Sequence, residues 1–342
     1  MPSTWAFEDK TLRIIHLTQD MGYTLTVTAS TFFPDSSDTT SYSWKDSSNN
    51  TRKMEMPPYF IYDLNEAVAN MQEYATLSRS SYISSLLDGH NQVACLTFEA
   101  AFRYLDTNES SLISHALSLW AATRLTERTW RVCGPYTLDF NPSTERDNPW
   151  NGIIPVTPIM DTQLDEAAIK GLLIPLKTKV LMELDRKMKQ PDPKTWYEVS
   201  LALCIVLNNF EWIFADVVDY TTRHGMKSAS RGGVSLSEGY VHACKSLLSV
   251  FHFAFPDSVP FSTIKTRPIK VDDYVTAEQA EYLHSIRDAL LKQGDKMADW
   301  RTRSMYETPL YWVYQLFLDD WKGDIKHITP VDNFTEEDFM TT

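Results

Sequence analysis

Residues 193–220 carry apolar side chains on nearly every face of a helix, and a helix of that kind has to sit where neighbours can cover it all round. This segment therefore asks for a layered, helical molecule with a centre. A membrane span is excluded, because between Leu201 and Val218 the run is broken by Asn208, Asn209, Glu211 and Asp216, groups that a lipid core does not accommodate without partners. With 342 residues, 43% of them hydrophobic, the chain can bury a large core as one big domain or two intimately packed ones. Glycines are few, at 11, and ten tryptophans help raise the aromatic share to 12%, which suits helices packed through large side chains.

Charge and cysteine usage narrow the function classes. A formal net charge of -13 leaves no broad basic face for a phosphate backbone. Cys95, Cys133, Cys204 and Cys244 are dispersed without a C-x-x-C pair, so they are read as buried reduced thiols rather than a zinc site or a disulfide framework. Residues 1–10 lack the basic and apolar regions of a secretory signal. The expectation is a soluble intracellular protein, in which the N-x-[ST] matches at Asn49, Asn108 and Asn333 carry no glycan.

Along the chain, β-branched alternation in residues 11–33 and a polar stretch over 34–53 predict a short strand or hairpin followed by a loop. Residues 1–54 thus form a strand and loop segment, 55–325 an all-helical domain, and 326–342 an acidic tail. Asp63 caps a first helix with Ala67, Met71 and Tyr74 at helical spacing, and further helices are predicted over 92–105 and 110–129. Cys133-Gly134-Pro135 is read as the stop of the third helix. A connector over 135–160 holds five prolines, and Thr162-Gln163-Leu164-Asp165, with Asp161 beside it, has the spacing of a capping box. That helix should run towards Lys189 with a kink at Pro175. After the central helix come predicted helices over 237–255, 276–300 and 309–321, giving an all-α, large irregular bundle with a short N-terminal β segment.

The chain offers little to a chemist. There is no phosphate-cradling glycine loop and no H-E-x-x-H, while His242 and Cys244, two apart, point to different sides of a helix. Asp319, Asp320 and Asp324 loosely resemble the aspartate-rich Mg²⁺-diphosphate motif of terpene cyclases. Gly323 would break a helix carrying them, and no second metal motif follows. They read as a solvated helix end.

The wording of the helices is more specific. Ser118-Leu119-Trp120-Ala121-Ala122-Thr123-Arg124, Trp130-Arg131-Val132-Cys133-Gly134 and Asn148-Pro149-Trp150 lead to Ile154-Pro155-Val156-Thr157-Pro158-Ile159-Met160-Asp161-Thr162-Gln163-Leu164-Asp165. Leu207-Asn208-Asn209-Phe210-Glu211, Tyr240-Val241-His242-Ala243-Cys244 and Tyr311-Trp312-Val313-Tyr314 follow in order. This collinear set, over roughly residues 55–323, resembles the carboxy-terminal regulatory region of fungal zinc-cluster transcription factors. The resemblance implies an all-α regulatory domain in the nucleus that restrains or enables an activation function and in some members senses a small molecule. It also implies coregulators or a DNA-binding partner as contacts, with neither a membrane role nor catalysis. Zinc belongs to the six-cysteine DNA reader of full-length members, which these four scattered cysteines do not form, so no cofactor and no direct DNA contact are expected of this chain, which reads as a truncated form, an incomplete gene model or a factor that has lost its reader and acts through partners. The tail interleaves acids with apolar side chains, Phe334, Glu336, Glu337, Asp338, Phe339 and Met340, a composition suited to coactivator binding. The readings from other classes are a Mg²⁺-dependent helical enzyme of terpene-cyclase type and a helical scaffold with no transcriptional role.

Overall fold

The computed structural model describes residues 12–87, 92–223, 230–231, 234–255, 275–292, 296, 299 and 310–317. The chain divides into two compact units, one of Met1–Leu86 with Ala121–Thr178 and one of Leu87–Trp120 with Lys179–Thr342.

The first unit is built on an antiparallel four-stranded sheet. Strands β1 (Arg13–Thr18) and β2 (Leu25–Thr31) form the expected hairpin, with β5 (Tyr59–Ile61) on one side and β6 (Arg131–Cys133) on the other. Period-two alternation buries Ile15, Leu17, Leu25, Val27 and Ala29 on one face. The loop between β1 and β2 turns through Asp20 and Gly22, both in the left-handed region. A separate hairpin of β3 (Ser41–Lys45) and β4 (Thr51–Glu55) occupies the polar stretch read as a loop. It lays Tyr42 and Trp44 against Trp150, at centroid distances of 4.5 and 6.0 Å, and these contacts give a Ser- and Asn-rich segment the apolar cover that its composition hides.

Helix α1 (Leu64–Leu87) starts at Asp63, whose Oδ1 accepts from the N–H groups of Asn65 and Glu66. Helices α2 (Gln92–Thr107) and α3 (Ser111–Glu127) follow. The end of α3 corrects the sequence expectation. It stops at Glu127, and the Cys133-Gly134-Pro135 stop terminates a strand instead. Gln19 Nε2 takes the carbonyls of Leu125 and Arg128 at 2.9 and 2.6 Å, so a buried side chain from the β1–β2 loop satisfies the helix end. Gly134 is still required, with φ at +90° and a would-be Cβ 3.3 Å from the His16 ring.

The next helix also starts earlier than predicted. Thr157, not Thr162, is the N-cap of α4 (Pro158–Ala168): its hydroxyl accepts from Met160 N, and Pro158 opens the first turn. Thr162 sits inside the helix and donates to Pro158 O at 3.0 Å. The irregularity expected at Pro175 takes the form of a π-helical turn over Ile169–Leu173, after which α5 (Ile174–Lys189) begins. Pro175 has no N–H for the carbonyl of Gly171 and cannot pack against it. Gln72 of α1 supplies the missing donor to Gly171 O at 3.2 Å, and Ile174 N bonds back to Ile169 O.

In the second unit α6 (Trp196–Arg223) is the core helix, with Leu201, Ala202, Leu203 and Leu207 wholly inaccessible. Its Trp196–Asp216 stretch is apolar and long enough to cross a membrane, and most of it is buried inside the protein. The polar residues that interrupt it hold other segments: Asn208 accepts from Trp120 Nε1 at 3.0 Å, and Glu198, buried, accepts from Ser110 and from Lys187 at 2.7 Å. Helices α7 (Leu236–Ala254), α8 (Ala277–Leu291) and α9 (Tyr311–Gln315) follow in the same unit. The architecture is therefore mostly helical with a small antiparallel sheet, in keeping with the expected helical bundle and N-terminal β segment. Strand β6 went unforeseen because three residues are too short to show alternation.

Candidate functional site

One end of α2 presents Ala100, Arg103, Tyr104 and Thr107 on a single face, at helical spacing. Opposite them stand Tyr197 from the first turn of α6 and the first turns of α8, and together they line an open cleft of about 430 Å³, within the range of small-molecule sites. Three tyrosines form its walls: the Tyr104 and Tyr197 rings are 5.9 Å apart, and Tyr197 meets Tyr282 edge-on at 5.9 Å. Tyr282 turns its hydroxyl away to Thr97 Oγ1 at 3.2 Å, so it offers the cavity a ring and not a polar group.

Tyr197 differs. It is only 4% exposed, yet its hydroxyl has no hydrogen bond among the described residues. Burial pushes its pKa well above the usual phenol value, and the nearby Glu278 carboxylate adds to the shift. The group stays a protonated donor. The rim is of mixed charge, with Arg103 paired to Glu99 at 3.7 Å and Glu278 in the first turn of α8. A full capping box fixes that turn: Thr276 Oγ1 accepts from Gln279 N at 3.2 Å, and Gln279 Oε1 accepts from Thr276 N at 3.1 Å.

A second arrangement closes the same unit. Glu211, buried in α6, accepts from Leu310 N at 2.9 Å through Oε2 and from Trp312 N and Val313 N at 2.9 and 3.1 Å through Oε1. It thereby caps α9, whose own N-cap residue, Leu310, is in the left-handed region and supplies no side-chain cap. Burial pushes the carboxyl up to about 7, while the three backbone donors pull it down.

Sequence reasoning named other residues. The tail positions Phe334, Glu336, Glu337, Asp338, Phe339 and Met340, like the acids Asp319, Asp320 and Asp324, lie outside the described residues. Among the described residues no group of three or more His, Cys, Asp or Glu could hold a metal ion. Cys204 and Cys244 are buried, whereas Cys95 and Cys133 are half-buried. The tyrosines were missed because they come from three separate helices and no local spacing joins them. The one available signal was the face shared by Ala100, Arg103, Tyr104 and Thr107, which ends in polar groups where a core face would stay apolar.

The model of one family, described as the KpeA transcription factor, matches residues 2–316, which include every residue of the cavity and of α9. This chain belongs to the KpeA transcription factor family. A curated relative, the satratoxin biosynthesis SC3 cluster transcription factor SAT20 of Stachybotrys chartarum (strain CBS 109288 / IBT 7711), is 21% identical over 299 residues. Those residues are 80% of this chain and 40% of that protein, so the chain spans well under half the length of the relative it matches. No solved structure matches the chain. Membership of the KpeA family agrees with the resemblance drawn from the helices to a regulatory region of fungal transcription factors, and it favours a transcription regulator over a terpene-cyclase type of enzyme.

Proposed function

We propose that this chain is the regulatory region of a fungal transcription regulator, acting in the nucleus through coregulators or a DNA-binding partner, with its output set by a small molecule in the Tyr104–Tyr197–Tyr282 cavity. One observation carries the reading: a KpeA-family chain holds a cleft of about 430 Å³ walled by three tyrosines, one of which, Tyr197, has a hydroxyl with no hydrogen bond among the described residues. That hydroxyl is available to a ligand as a donor, and aromatic walls with a few polar groups suit a small-molecule site. A bound molecule would bridge α2, α6 and α8, and it can shift a regulatory equilibrium only by binding one state better than the other.

The test tethers residues 1–342 to a foreign DNA-binding domain and reads a reporter gene. Thr107 is exposed at the cavity wall, so Thr107→Trp fills the space without disturbing packed core. Reporter output should change while the melting temperature stays put. An unchanged output would remove the cavity from regulation, and a tethered chain that neither activates nor represses would favour a scaffold.

A further inference from the structure

The chemistry of the cavity walls narrows what can occupy them, and the inference that follows rests on the reading of this cavity as an effector site. Its inner surface is aromatic, and tyrosine rings favour a flat partner with its own π system through offset or edge-on contacts. The lining carries one charge of each sign, Glu278 and Arg103. A net anion would meet Glu278, and a cation would meet Arg103. The remaining polar groups are neutral. Asn108 spends its amide N–H groups on Tyr104 O at 3.1 Å and Thr107 Oγ1 at 2.8 Å, which leaves its carbonyl oxygen as an acceptor. Tyr197 contributes a donor with no partner among the described residues.

We propose that the cavity binds an uncharged, planar, oxygenated aromatic molecule of two or three fused rings, with a carbonyl oxygen accepting from the Tyr197 hydroxyl and a hydroxyl donating to Asn108. The hydrogen bond to Tyr197 supplies the selectivity. A ligand lacking an acceptor there leaves a buried donor unmet, and a site built around such a donor discriminates strongly against analogues that cannot pair with it.

The probes are coumarin, which is flat, neutral and carries a carbonyl; coumarin-3-carboxylate, which adds a charge; and naphthalene, which keeps the shape and loses the acceptor. Binding to the full chain is measured by titration calorimetry. Coumarin should bind one to one, Thr107→Trp should abolish binding, and Tyr197→Phe, which removes only the oxygen, should weaken it about tenfold. Naphthalene should bind weakly and be indifferent to Tyr197→Phe, and the carboxylate should bind more weakly than coumarin. Equal binding of coumarin and its carboxylate, no loss on Tyr197→Phe, or no binding of coumarin would each overturn the proposal. If coumarin fails while Thr107→Trp still alters reporter output, the ligand class is wrong and the effector site stands. If both fail, both readings fall.

Discussion

Burying a carboxylate costs several kcal/mol unless donors meet it, and Glu211 is met by three backbone N–H groups of the segment Leu310–Val313. Burial nevertheless dominates and raises its pKa from 4.5 to about 7. The folded chain then holds this proton more tightly than the unfolded chain does. Its contribution to stability is therefore fully present below about pH 4.5 and is lost as the pH rises through about 7. Denaturation midpoints between pH 5 and 8 should fall with pH in the parent and fall less steeply in Glu211→Gln; parallel slopes would contradict the assignment. The same variant sets an amide N–H against a backbone donor and should cost about 1–3 kcal/mol at pH 5. Tyr197→Phe, in contrast, deletes an oxygen with no protein partner among the described residues and should leave the denaturation midpoint unchanged. The sequence displayed Glu211 only as a break in an apolar run, because its partners lie 99 to 102 residues away. Long-range pairing of this kind leaves no periodic trace.

At the scale of elements, caps and close approaches decide where helices start and bend. Thr157→Ala removes the hydroxyl that accepts from Met160 N and donates to Tyr59 O at 2.7 Å, and it should destabilise the chain by about 1–2 kcal/mol, whereas Thr162→Ala should cost little. Equal effects in chemical denaturation would restore the start predicted from the Thr162 spacing. That spacing misled because a capping-box pattern also occurs by chance inside helices, while the actual start is marked by Thr157 followed by Pro158 at the first helical position. Gly171 is a second such point, since a Cβ there would lie 2.5 Å from Val68 Cγ1. Alanine is about 1 kcal/mol better than glycine in a helix interior, yet Gly171→Ala should destabilise by about 1–3 kcal/mol through overpacking. Pairing it with Val68→Ala should recover part of the loss, and additive effects would show that the two do not touch. Pro175 announced an irregularity in the sequence; its form as a π turn depended on Gln72 reaching the Gly171 carbonyl, which no local reading supplies.

At the scale of the whole molecule, the buried central helix and the proline-rich connector were legible from apolar periodicity and composition, and the regulatory reading came from the order of segments along the chain. The sheet was legible only in its hairpin, because β5 and β6 are three residues each. Each compact unit is assembled from two stretches interrupted by a stretch of the other. A fragment of residues 1–178 therefore carries α2 and α3 without α6, leaving Phe98 and Trp120 without their α6 neighbours. It should aggregate where the full chain stays monodisperse in size-exclusion chromatography; a well-behaved fragment would mean that these helices do not depend on α6. The link from Glu211 to Leu310 adds a matter of timing, because the partners are 99 residues further along. At roughly 5–20 residues per second the ribosome needs about 5–20 s to deliver them. For that interval the nascent core carries an acid without its three backbone donors, and seating α9 is the step that ends the wait.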